Sequence, residues 1–261
     1  MIVSVPHGGT EVPKKVKSLC RLNNNTILRD GDTWSRELYA VSDQVACYVD
    51  TTIARAVLDM NRAPDDRPPD NSDGVVKTVT VDSEQIWQNP QGLPDELVEE
   101  LISNYHKPYH KALVAAKKGK KVVMGIDCHT MLTVGPTRGN EKGVTRPLIC
   151  ISNGGDNQGA LLTNNLTASQ DLILALKEAL IIEFTRGMDI DGRILVGINE
   201  PFKGGYITKH HGNEDGFPWL QVEINRELYL PSSLTIVLTK ESYKKLEEIR
   251  CKFLRSVRRV L

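Results

Sequence analysis

The sequence predicts an α/β protein in which a mostly parallel or mixed β-sheet is covered on both faces by helices. Two observations carry that prediction. Short apolar runs with the length of buried strands alternate along the chain with stretches of helical period. Several of those runs end in polar, glycine-bearing turns, which is where open α/β sheets keep their ligands. At 261 residues the chain is long enough to bury a sizeable core, and a single domain over 1–261 is the simpler count.

Ile2-Val3-Ser4-Val5 reads as the first strand and ends at Pro6-His7-Gly8-Gly9, a tight turn in which the backbone can approach a ligand. Thr26 through Cys47 reads as helix, with Leu38, Val41 and Val45 on one face and Asp32 near its start. Two short apolar runs follow, Ala46 to Val49 and Ala56 to Met60, the second leading into Asn61-Arg62-Ala63-Pro64. Over 65–91 the composition shifts to proline, aspartate, glycine and asparagine. That segment reads as a long excursion loop with room for a small hairpin, and loops of such length are usually functional.

Pro94 to Lys118 returns to helix, with Leu97, Leu101, Tyr105, Leu113 and Val114 at helical spacing. Pro94 suits its first turn, and Pro108 inside it predicts a kink. Strands are expected at Val122 to Ile126, Pro147 to Ser152, Ile194 to Ile198 and Trp219 to Ile224. Between them lie a helix over Ala168 to Phe184 and a glycine- and lysine-bearing loop over Asn199 to Gly212. A closing helix spans Ser242 to Val260.

Lysine plus arginine and aspartate plus glutamate both number 33, so the net charge is zero and no polyanionic partner is indicated. The basic residues of the closing helix are interleaved with Glu241, Glu247 and Glu248, as on a solvated face. Five cysteines without CxxC spacing argue against a disulfide framework or a thiolate zinc site and fit a reducing cytoplasm. No stretch has the length of a membrane span. The expectation is a soluble cytoplasmic protein without nucleic-acid or membrane partners.

The chemistry points to a metal. His7 and His129 each follow a strand-like run, beside glycine or aspartate. Two imidazoles and one carboxylate are a donor set of catalytic zinc, which keeps a further position open for water. Asp32 supplies the third donor, with Glu11, four residues after His7, as the competing carboxylate. Asp127 suits an orienting partner for His129. In Trp219 to Ile224 the alternation puts Gln221, Glu223 and Asn225 on one face. A carboxylate projecting there calls for a compensating charge or a task, and Glu223 suits a general base beside a metal-bound water. An ion pair to Arg226 is the alternative.

Among the loop cations Arg55, Arg62, Lys203 and Lys209, Arg62 is best placed to recognise a carboxylate. His210 and His211 suit either solvent or substrate. His106 and His110 stand four apart on one helix face, but HExxH is absent, and a structural or substrate-lining role is expected for His110.

Several stretches together resemble the N-formylglutamate amidohydrolase family. They are Pro6-His7-Gly8-Gly9, Asp32 to Tyr39, Leu58-Asp59-Met60-Asn61-Arg62, Pro108-Tyr109-His110 and Asp127-Cys128-His129-Thr130. Asn199 to Thr208 and Leu220 to Tyr229, with its Gln-x-Glu-x-x-Arg-x-x-Tyr pattern, complete the set. The resemblance implies a three-layer α/β/α fold similar to the zinc carboxypeptidases and hydrolysis of an N-acyl amino acid to formate and glutamate or their analogues. It implies one zinc ion per chain on His7, Asp32 and His129, with Glu223 as general base. Asn61 and Arg62 would hold the substrate's α-carboxylate. From the residues themselves, Lys209 or Arg55 is expected to help Arg62, and His210 is expected among the substrate-binding residues. Alternative readings are another carboxypeptidase-like or N-acyl amino acid hydrolase and a non-catalytic amino-acid-binding protein on the same fold.

Overall fold

The computed structural model describes residues 1–119, 122–136, 143–162, 166–185, 192–212, 216–232 and 235–261. Six of the apolar runs pair into one sheet: β1 (Ile2–Val5), β2 (Cys47–Asp50), β3 (Gly125–Met131), β4 (Ile149–Ser152), β5 (Val196–Ile198) and β6 (Trp219–Asn225). Their spatial order is β2-β1-β3-β6-β4-β5, and every pairing is parallel except that of β4 with β6. The helices are α1 (Lys14–Lys17), α2 (Asn24–Asp30), α3 (Ser35–Leu38), α4 (Asp95–Leu101), α5 (Lys107–Lys117), α6 (Gln170–Phe184), α7 (Tyr206–His211) and α8 (Lys240–Arg258). The caps are those that serine, threonine and asparagine provide. The side-chain oxygens of Asn23, Ser169 and Thr239 accept the N–H groups of Thr26, Leu172 and Ser242.

Period-two alternation divides the strands between two cores. Val3, Val5, Ile126, Cys128, Leu220, Val222 and Ile224 pack against Leu38, Leu176, Leu180, Phe184, Leu246 and Phe253 of α3, α6 and α8. Each such fully buried side chain contributes about 1.5–3 kcal/mol. Ile2 and Trp219 point the other way, into a second core with Ile102, Tyr109 and Leu113. Gly125 is required there, because a Cβ would collide with the Trp219 ring. The intervening residues Ser4, Asp127, His129, Gln221 and Glu223 share this second face and are buried. The sheet thus carries a polar strip towards the carboxyl ends of three parallel strands, where β1 feeds neighbours on both sides.

Four expectations need correction. The helix foreseen over Thr26 to Cys47 is broken at Gly31, because the Asp32 N–H turns to the His7 carbonyl at 3.0 Å. Trp34 then takes a left-handed φ of 62° before α3. The strand foreseen to end at Ile126 continues to Met131, so His129 lies on β3 and not in a loop beyond it; pairing with β6 sustains the extension. Within Asn199 to Gly212 a short helix, α7, forms. The kink foreseen at Pro108 is a π-helical turn over Ile102–His106. Proline gives no N–H and crowds the carbonyl four residues back, here that of Asn104, which the wider turn relieves.

The 65–91 excursion contains no helix or strand, but antiparallel bridges join Val79 to Gln85 and Trp87 to Cys20. It is nevertheless pinned. The fully buried Lys77 places Nζ 3.0 Å from Asp30 and 3.2 Å from Asp73, and Val75, Val76, Ile86 and Trp87 enter the second core. Among the described residues no helix is long and apolar enough to cross a membrane.

Candidate active site

Three elements deliver three donors to one point. The turn after β1 carries His7, the break between α2 and α3 carries Asp32, and β3 carries His129. A Cβ at Gly9 would run into the Thr52–Ile53 peptide, so the His7 turn can lie this close to its neighbour only with glycine there.

The imidazoles are oriented from behind. His7 Nε2 stands 2.6 Å from Asp59 Oδ1, and His129 Nε2 stands 2.8 Å from Asp127 Oδ2. Asp59 and Asp127 are in turn held by Arg55 Nε at 3.1 Å and by the Ser4 hydroxyl at 2.8 Å. Carboxylates only accept, so each ring donates from Nε2 and turns its Nδ1 forward.

Those two Nδ1 atoms are 3.2 Å apart, and Asp32 Oδ2 lies 3.0 Å from that of His129 and 3.6 Å from that of His7. Three lone pairs converging in a buried place repel one another unless a cation or proton joins them. Donors about 2.0–2.1 Å from a tetrahedral ion stand about 3.3 Å apart, so the three separations match such an ion. Asp32 is positioned by the Thr130 N–H at 3.2 Å and by the Arg226 guanidinium at 3.7 Å. Arg226 also donates to the Gly31 carbonyl at 2.6 Å.

Charge follows this geometry. Burial pushes the Asp32 and Asp59 carboxyls up, but the neighbouring imidazoles outweigh it and hold both well below the ordinary carboxylate range; Arg55 adds to the effect at Asp59. Burial lowers His129, yet Asp127 and Glu223 outweigh it and keep its basicity well above that of an ordinary histidine. Glu223 lies directly across β3–β6 from His129. Its burial, partly offset by His129 and reinforced by Asp32, raises its pKa to about 7. Gln221 fixes it: Oε1 accepts the Gly205 N–H at 2.7 Å, which turns Nε2 to donate to Glu223 Oε1 at 2.9 Å.

A cavity of about 380 Å³ opens onto the trio and is also lined by Asn61, Arg62, Arg55, Arg146, Phe202 and Glu223. Asn61 holds its Nδ2 3.2 Å from His129, because its Oδ1 accepts the Ile207 N–H at 2.7 Å. Arg62 reaches the cavity with one guanidinium nitrogen on Asp73 at 2.6 Å, and Arg146 lies 4.9 Å over the Phe202 ring.

Of the residues singled out from sequence, His7, Asp32, His129, Asn61, Arg62 and Glu223 meet here. Lys209 and His210 do not: both are exposed on α7 outside this cavity, with His210 stacked on Tyr206 at 4.8 Å. Glu11 turns away to accept the Thr52 hydroxyl at 2.9 Å. Asp59, Asp73, Gln221 and Arg226 join the site without a role expected for them there from sequence. The available signal for Asp59 was a lone carboxylate between Leu58 and Met60, both fully buried.

The sequence model described as N-formylglutamate amidohydrolase matches residues 1–230. The chain is 21% identical to a crystallised N-formylglutamate amidohydrolase from Ralstonia eutropha JMP134, with a TM-score of 0.75 over 97% of this chain and 91% of that one. It is 14% identical to a gene product of Agrobacterium tumefaciens, with a TM-score of 0.64 over 98% and 90% of the two chains. No curated protein sequence matches the chain. With a family match over most of its length, the chain belongs to the N-formylglutamate amidohydrolase family and is a hydrolase of that kind.

Proposed function

We propose that the protein hydrolyses the amide bond of N-formyl-L-glutamate or a related N-acyl amino acid, with one zinc ion per chain on His7, Asp32 and His129. The convergence of two imidazole lone pairs and a carboxylate oxygen within 3.0–3.6 Å carries this reading. When bound, the metal supplies a water acidified to a pKa of about 7 and a Lewis acid for the amide carbonyl.

The chain's own groups do the rest. Asp59 and Asp127 keep the Nδ1 lone pairs of His7 and His129 aimed at one point. Glu223, raised to about 7 and held by Gln221, takes a proton from the attacking water on a carboxylate oxygen. It then passes that proton to the departing amide nitrogen, so that acid and free amine are the products. Arg62 receives the substrate carboxylate beside Asn61. A guanidinium has five N–H donors, so its bond to Asp73 leaves others for the ligand.

The decisive experiment is elemental analysis of wild type and His129→Ala in parallel, followed by an assay of formate release from N-formyl-L-glutamate. About one zinc per chain, lost in the variant, with formate released only by the metal-loaded wild type, is the expected result. Absence of metal from both after zinc is added back would overturn the mechanism and favour a binding protein for amino-acid-like ligands.

A further inference from the structure

His106 and His110 are buried, yet neither lines the cavity. Their Nε2 atoms lie 2.9 Å from the Arg62 carbonyl and 2.9 Å from the Met60 carbonyl, the peptide oxygens on either side of Asn61. Carbonyls only accept, so both rings donate from Nε2. His110 Nδ1 is then left to accept from His211 Nε2, 2.8 Å away on α7. Burial lowers the pKa of both rings, that of His110 to about 3, so they stay neutral donors at ordinary pH.

Four residues of helix rise about 6 Å, enough for two imidazoles one turn apart to reach two carbonyls separated by one residue. His106 is the last residue of the π turn, whose changed register sets where that ring points. The clamped segment has no ladder of its own. On its other side the Asn61 carbonyl accepts the Tyr206 N–H at 3.3 Å and the Asn61 side chain accepts that of Ile207. Mere packing would be satisfied by any ring at 106 and 110. Two buried carbonyls beside a cavity need donors.

We propose that His106 and His110 are positioning residues for the substrate: by holding the carbonyls of Arg62 and Met60 they aim the Asn61 amide and the Arg62 guanidinium into the cavity. They thereby set affinity for a carboxylate-bearing ligand and leave bond cleavage to the metal trio and Glu223. The inference rests on the carboxylate-holding role proposed for Asn61 and Arg62.

The test uses zinc-loaded His106→Phe and His110→Phe, which keep a ring and remove the donor, with His106→Gln to restore one. Loss of such a bond predicts a KM for N-formyl-L-glutamate raised about tenfold. Zinc content and kcat should change little, and His106→Gln should recover most of the KM. Hydrogen exchange of the amides in 58–63 should accelerate while that of β3 and β6 stays as in wild type. Unchanged exchange in 58–63, an unchanged KM, or loss of zinc together with kcat would each overturn the proposal. A wild type that hydrolyses no N-formyl amino acid would refute the amidohydrolase reading instead. Exchange and calorimetric binding of L-glutamate would still decide the positioning role.

Discussion

Asp59→Asn tests whether the buried carboxylates behind the trio organise it. Asp59 Oδ1 accepts from His7 Nε2 at 2.6 Å and from the Asn61 N–H at 2.8 Å, and Oδ2 faces Arg55. An asparagine oxygen can keep the first two bonds, so the His7 ring and the backbone are retained. What disappears is the negative charge that raises the ligand's basicity, and an NH₂ now meets the Arg55 guanidinium. Removing such an orienting carboxylate costs about 10- to 100-fold in metal affinity, or about 1.4–2.7 kcal/mol. The assay is competition for zinc against a chromophoric chelator at fixed pH, with Asp127→Asn as the parallel change behind His129. Weakening within that range in both variants is expected, with the urea midpoint of the metal-free proteins read alongside. Wild-type zinc affinity in both variants would refute the claim that these carboxylates tune the imidazoles.

Glu223→Gln should keep its zinc and lose about 10²- to 10⁴-fold in kcat/KM; loss of the metal with the activity would make Glu223 a ligand rather than a base. Burial raises Glu223 from 4.5 to about 7, so its folded pKa exceeds its unfolded one. Its contribution to stability is therefore full below pH 4.5 and is lost as pH rises through about 7, a decline that urea titrations of metal-free Glu223→Gln should lack. In the wild type the rate should climb with pH towards that same value, and a zinc ion beside the carboxylate should move the limb lower; a profile flat from acid to neutral pH would count against the base. Lys77→Met strands the Asp30 carboxylate in the interior, where among the described residues the Val81 N–H at 2.7 Å still bonds it. The expected loss is about 3–5 kcal/mol in urea unfolding, and a loss below about 1 kcal/mol would show that the pair is dispensable.

How far the site could be read from sequence follows the range of the interactions. Glu223 and Gln221 were placed on one face by strand alternation, a local rule, and they share that face in the sheet. His7 and His129 were marked by position beside strands and turns. The structure moves His129 only from a loop onto β3. Asp59 was opaque because its partner, His7, lies 52 residues away, and nothing in Leu58-Asp59-Met60 says which way the carboxylate points. Lys209 and His210 stand outside the site for the opposite reason. Once Tyr206–His211 winds into a helix, its phase turns Ile207 and Thr208 inward and leaves the two basic residues outside.

The same contrast explains why the fold tolerates such a strip. Asp32, Asp59, Asp127, His7, His129 and Glu223 are all nearly inaccessible, an arrangement that burial alone disfavours by several kcal/mol per ion. Each pays part of that cost to another: His7 to Asp59, His129 to Asp127, Asp127 to Ser4, Glu223 to Gln221. What these pairings do not cover is the forward side of the trio, where two Nδ1 atoms and Asp32 Oδ2 stand 3.0–3.6 Å apart. A buried point where like donors converge breaks the local rules together, and such a point is where a function is expected. Under the proposed function a zinc ion there would meet all three donors at once.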